Sequence, residues 1–149
     1  APSRSMSDYS SYIGGRESYV KVVFGQSYAV LRHAEAAVVN SGTASLETAL
    51  IGTPQVVAYK GAEINFLIAK QIIKIKYISL GNLILNRTCF RELLQFYFTP
   101  ENVLEEVIRM IEDTEYRETM LAGYQEIRDA LGGRGASAAV AKAMIEDMR

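Results

Sequence analysis

Cysteine, histidine and tryptophan are almost missing from this chain: it has one cysteine, Cys89, one histidine, His33, and no tryptophan. A single cysteine excludes an internal disulfide, and with one histidine beside it a Cys/His zinc site is excluded as well. Neither kind of staple holds the fold, and a reducing compartment suits it. Charge of one sign is not in excess either, since sixteen Lys and Arg against seventeen Asp and Glu leave a net charge of −1. That balance provides no cationic field and argues against a dedicated nucleic-acid binder. No apolar run approaches the ~18 residues of a membrane-spanning helix, and the opening APSRSMSDYSSYIGG lacks the apolar stretch of a signal peptide. An initiator methionine is missing, and the chain reads as a piece of a longer protein.

What is present is enough apolar material for a core: 49% of the 149 residues. Charge is unevenly placed along the chain. From Lys60 to Glu92 six basic residues stand against Glu63 and Glu92, whereas from Glu101 to Asp129 nine acids stand against three arginines. Solvated helix faces account for this more simply than an electrostatic binding surface.

The first eighteen residues, with six serines and Gly14-Gly15, read as an N-terminal loop. Short β-branched runs then alternate with helical stretches. VKVVF (20–24), AAVVN (36–40) and QVVAY (55–59) are expected strands, with helices over 26–34 and 44–52 between them. Strand, helix, strand, helix, strand predicts an α/β fold with a Rossmann-like parallel sheet and flanking helices. The runs do not alternate cleanly, as in a parallel sheet covered on both faces. A helix is expected from Ala62 to Lys74, followed by YISL (77–80) and then three or four helices from about Thr88. Pro100 and Gly132-Gly133 act as their start and stop signals. The expected division is loop 1–18, a partial nucleotide-binding domain 19–131, and a C-terminal hinge and helix 132–149.

Chemistry is most legible at Val39-Asn40-Ser41-Gly42-Thr43-Ala44-Ser45-Leu46-Glu47. A buried strand here passes through a Ser-Gly-Thr turn directly into a helix, at the carboxyl edge of a parallel sheet where α/β proteins bind ligands. Unpaired N–H groups and the positive dipole end of that helix suit an anion such as a phosphate. Gly42 permits close approach, and Ser41 and Thr43 add hydroxyls. A plain helix N-cap uses the same residues, so both readings stand. Glu47 lies four residues after Thr43 and six after Ser41, not at the spacing of a capping box. One turn behind a phosphate site, its carboxylate can accept hydrogen bonds from both hydroxyls of a ribose. A solvated surface glutamate is the alternative.

Four blocks, SGTASLETALIGTPQVVAYK, KYISLGNLI, RELLQ and GGRGASAAVAKAMIEDM, occur in the order and spacing of bacterial lipid-A-disaccharide synthases. Across roughly Val38 to Met148 the chain resembles the C-terminal half of that family, inverting glycosyltransferases of the two-domain GT-B class. The resemblance implies transfer of 2,3-diacylglucosamine from its UDP-linked donor to 2,3-diacylglucosamine 1-phosphate, with neither metal nor cofactor. It places Ser41, Gly42 and Thr43 at the diphosphate and Glu47 at the ribose. Asn82 lies near the nucleotide or sugar, with Glu92 and Gln95 as supporting contacts. The general base is expected on the N-terminal domain, outside these residues, so the fragment should bind UDP without catalysing transfer. A cytoplasmic enzyme, peripheral contact with the inner face of the inner membrane, and a homodimer are further expectations. Many family members carry proline where this chain has Gly81, and glycine is expected to loosen the backbone before Asn82. The alternatives weighed are another GT-B enzyme using a UDP-N-acetylhexosamine, and a non-catalytic α/β interaction module.

Other features receive simpler readings. In the expected helix 62–74, Ile64, Leu67, Ile68, Ile72 and Ile75 form a core stripe. Phe66 and Ile73 with Lys70 and Lys74 form an outer surface for a neighbouring domain or for lipid. His33 is expected to meet carbonyls at a helix C-terminus, Cys89 to serve as a small apolar residue, and Tyr9, Tyr12 and Tyr19 to pack locally. Arg134 is assigned to an exposed loop.

Overall fold

A computed structural model of the chain describes residues 5–40, 42–61, 76–132 and 135–147. The expected helix 62–74, Ser41 and Arg134 lie outside the described residues. The elements in order are α1 (Met6–Ile13), α2 (Ser27–His33), β1 (Ala37–Asn40), α3 (Thr43–Ile51), β2 (Gln55–Tyr59) and α4 (Leu80–Leu85). There follow β3 (Glu92–Leu94), a 3-10 turn (Gln95–Tyr97), α5 (Pro100–Glu112), α6 (Thr114–Leu131) and α7 (Ala136–Asp147).

The sheet has the order β1-β2-β3, and both pairings are parallel. Val39 pairs with Val57 and Val57 with Glu92, while Asn40 pairs with Ala58, and Tyr59 with Leu94. β2 is central and buried from Gln55 to Ala58. Its unbroken apolar run therefore has the meaning expected of a parallel strand covered on both faces. Val56 and Val57 are fully buried with Ala49, Phe90, Leu93, Met110, Met120, Tyr124 and Ile127. Burying each large apolar side chain contributes about 1.5–3 kcal/mol. Among the described residues the architecture is a Rossmann-like parallel α/β layer with flanking helices.

Helix ends follow local chemistry. Thr99 accepts the Asn102 amide at 3.3 Å ahead of Pro100, and Asp113 accepts the Tyr116 amide at 2.9 Å to open α6. His33 closes α2 with its Nδ1 2.8 Å from the Ala29 carbonyl oxygen, the carbonyl contact expected of it.

Three expectations are corrected. Residues 1–18 are not all loop, because α1 forms within them. Asp8 accepts the Ser5 amide at 2.7 Å and its hydroxyl at 3.0 Å, and Ile13 is buried. A local cap thus outweighs the serine-rich composition. Residues 20–24 form no strand: β1 is the sheet edge, no ladder reaches them, and Val23 and Phe24 are exposed. Phe24 instead meets the Tyr9 ring, 6.0 Å between centroids. The third strand is Glu92–Leu94, from the RELLQ block, too short and too charged to show an apolar run.

No helix among the described residues is long and apolar enough to cross a membrane.

Candidate functional site

Two groups of residues occupy the site, and they behave differently. The first is the turn from β1 into α3. Gly42 stands at the N-cap with φ 134° and ψ −159°, a conformation that side chains rarely adopt and that glycine adopts freely. Its carbonyl accepts the Ser45 hydroxyl at 2.8 Å, and no side chain caps the helix. Gly42 and Thr43 are exposed at the carboxyl end of β1. The first amides of α3 consequently face outward with the positive end of the helix dipole behind them.

Glu47 follows one turn later, half-buried, and makes no hydrogen bond or ion pair among the described residues. It lines a cavity of about 560 Å³ with Gly25, Gln26, Ser27, Tyr28 and Ala29. That wall, the approach to α2, escaped the sequence reading. Its one signal was Gly25 closing an apolar run ahead of Gln-Ser, and Gly25 takes a positive φ of 70°. The structure thus brings Gly42, Thr43 and Glu47 onto one helix start facing open space.

The second group is inward. Glu92 sits level with Val57 and Val39, two residues short of the sheet's carboxyl edge at Leu94, roughly 6–7 Å back along the strand. Its carboxylate accepts the amides of Ile78 at 2.9 Å and Ser79 at 3.0 Å, the Ser79 hydroxyl at 2.5 Å and the Asn82 amide at 2.9 Å. Asn82 is fully buried; its Nδ2 also donates to the Phe90 carbonyl at 2.9 Å, and its Oδ1 accepts the Cys89 amide at 2.7 Å. Asn82 and Glu92 are therefore in direct contact and committed within the chain.

This cluster corrects the expectation for Gly81. A Cβ there would lie 2.9 Å from the Phe90 ring and 3.0 Å from Ile127. Glycine lets α4 settle onto Phe90, and Asn82 is held firmly rather than loosely. Gln95, also buried, grips the far edge of the sheet: Gly61 N–H donates to its Oε1 at 2.7 Å, and its Nε2 donates to the Gly61 carbonyl at 3.2 Å. Its φ of +50° is strained for a non-glycine residue. Beside it a smaller cavity of about 230 Å³ is lined by Lys60, Gln95, Phe96, Phe98 and Thr99, and of these the sequence marks Gln95 alone as a site residue.

Cys89 packs against this layer as a buried apolar residue, and burial pushes its thiol up to about 11. The buried Tyr124 hydroxyl and the half-buried Tyr116 hydroxyl are likewise raised above the ordinary tyrosine value, by burial first.

The family model described as lipid-A-disaccharide synthetase matches residues 16–144. Lipid-A-disaccharide synthases similar to the chain include that of Trichlorobacter lovleyi, 34% identical over 136 residues, which is 91% of this chain and 36% of the relative. Those of Solibacter usitatus (36% identical; 78% of this chain, 31% of the relative) and Persephonella marina (38%; 74% and 29%) are comparable. The chain spans about a third of the length of these curated relatives. A match over so much of the chain leaves no room for an unrelated interaction module: the chain belongs to the lipid-A-disaccharide synthetase family.

Proposed function

We propose that the chain is the nucleotide-sugar-binding part of a GT-B lipid-A-disaccharide synthase. The full protein would transfer 2,3-diacylglucosamine from its UDP donor to 2,3-diacylglucosamine 1-phosphate. The observation that carries this is Glu47: a carboxylate without an intramolecular partner among the described residues, facing a cavity one turn behind an exposed helix start. In this reading the diphosphate meets the first amides of α3 and the Thr43 hydroxyl, where Gly42 keeps the approach open. Ser41 joins them on the strength of the family resemblance. Glu47 accepts hydrogen bonds from the ribose hydroxyls, and the Gly25–Ala29 wall encloses the nucleotide. Asn82, Glu92 and Gln95 serve the sugar side by holding the 78–82 and 60–61 segments in place.

The base that deprotonates the acceptor hydroxyl belongs, in this reading, to the part of the relatives that the chain does not span. The chain alone then binds UDP and does not transfer sugar. Cytoplasmic location, peripheral contact with the inner face of the inner membrane, which acylated substrates favour, and a homodimer belong to the same proposal.

Calorimetric titration with UDP tests it, with CDP as the control for the base and UMP for the diphosphate. UDP binds selectively if the reading holds. Glu47→Ala then weakens UDP by about 1–3 kcal/mol, the loss of hydrogen bonds to a charged group. Unchanged affinity in that variant removes Glu47 from the site.

A further inference from the structure

Among the described residues Glu106 is the one acid with no solvent exposure. A carboxylate so placed is costly unless it is paired and hydrogen-bonded. Its Oε2 accepts from Arg91 Nη1 at 3.2 Å, and its Oε1 accepts from the Tyr116 hydroxyl. The Arg109 guanidinium lies 3.8 Å from the centroid of the Tyr116 ring. Glu105 also approaches Arg91, at 3.7 Å, but is itself exposed. The buried Glu106 on α5 thus ties α6 to Arg91, the residue just before β3.

The connection to the candidate site runs through the backbone of β3. The Arg91 carbonyl accepts the Val57 amide at 3.0 Å, making it the first rung of the β2-β3 ladder. Successive side chains of an extended strand point to opposite faces. Arg91 accordingly reaches α5, while Glu92 reaches Ser79 and Asn82. β3 has only three residues, few rungs with which to define its register. A slip by one position would exchange the two side chains and set a carboxylate against Glu106, so the ion pair forbids it.

We propose that Glu106 is a positioning residue: acting through Arg91, it sets the register of β3 and so holds Glu92 against the 78–82 segment of the candidate site. The consequence for ligand binding rests on the nucleotide-sugar reading above. The positioning itself does not.

Two variants of this chain decide it, Glu106→Gln and Tyr116→Phe. Both loosen the same carboxylate, but only the first weakens the arm toward β3. Amide hydrogen exchange is followed at Ile78 and Ser79, the two backbone donors to Glu92, and at Met120 in α6 as a reporter of general stability. In Glu106→Gln, exchange at Ile78 and Ser79 rises about tenfold more than at Met120, whereas in Tyr116→Phe all three rise together. The dissociation constant for UDP rises about three- to tenfold in Glu106→Gln at a temperature where the variant is fully folded, and stays within about twofold in Tyr116→Phe. Equal exchange changes in the two variants, or changes at Ile78 and Ser79 that only track Met120, overturn the proposal and leave Glu106 as a stability residue. If the unsubstituted chain binds no UDP, the nucleotide reading falls while the exchange data still decide the positioning role. Should Glu106→Gln not fold, Arg91→Lys, which keeps the charge and loses the planar fork, gives the same comparison.

Discussion

Replacing Glu92 with alanine removes one carboxylate and disturbs four hydrogen bonds, from Ile78 N, Ser79 N, Ser79 Oγ and Asn82 Nδ2. Hydrogen bonds to a charged group contribute about 1.5–3 kcal/mol each, so a simple sum would reach roughly 6–12 kcal/mol. Two features reduce that figure. Glu92 is only half-buried, so water replaces part of what is lost, and Asn82 keeps its bond to the Phe90 carbonyl. Ser79 has no such recourse, because it is fully buried and both its donors point at Glu92. At about 1–3 kcal/mol per orphaned buried donor, with a smaller loss at Ile78, the expected destabilisation is about 3–5 kcal/mol. For a domain of this size that lowers Tm by roughly 6–20 °C. Urea unfolding followed by circular dichroism measures it, with the slope unchanged and only the midpoint shifted. Glu92→Gln loses less, about 2–3 kcal/mol, since one oxygen still accepts while the new NH₂ opposes a donor. A loss below about 1 kcal/mol for Glu92→Ala would show that this network is not formed in solution, and the inward assignment of Glu92 would fall with it.

Glu47→Ala, by contrast, is expected to change stability by less than about 0.5 kcal/mol in the same assay, because the carboxylate makes no bond to lose. Gly42→Ala meets nothing within 4 Å at its new Cβ but must adopt φ +134°, so it costs about 1–3 kcal/mol of backbone strain and weakens UDP binding with it. For Cys89 the thiol is raised from 9.0 to about 11, so the folded state favours the protonated form. Its contribution is complete below pH 9 and is lost as pH rises toward 11, on the order of 2–3 kcal/mol in all. Urea midpoints of the unsubstituted chain and of Cys89→Ala, compared at pH 8 and pH 10.5, isolate that slope, which the variant should lack.

Features set by near neighbours were readable from the residue order. Parallel strands at 37–40 and 55–59, the glycine turn into α3, the start at Pro100 and the carbonyl contact of His33 all depend on apolar runs, caps and hydrogen bonds spanning a few residues. Glu47's distance from the turn was likewise a matter of helical spacing. Pairing and burial were not readable in this way. VKVVF has strand composition yet no strand, because a strand needs a partner and the ladder ends at β1. RELLQ has a poor strand pattern yet supplies β3, because Arg91 and Glu92 find oppositely placed partners on α5 and at the start of α4. Glu92, Asn82 and Gln95 carry no mark in the residue order that separates an inward brace from an outward ligand contact. That distinction lies in which donors the folded chain brings to them from seven to thirty-four positions away. Local hydrogen bonding and side-chain period determined the elements. Desolvation and long-range polar pairing, which exist only after the chain has closed on itself, decided where those elements met and which carboxylate was left facing the cavity.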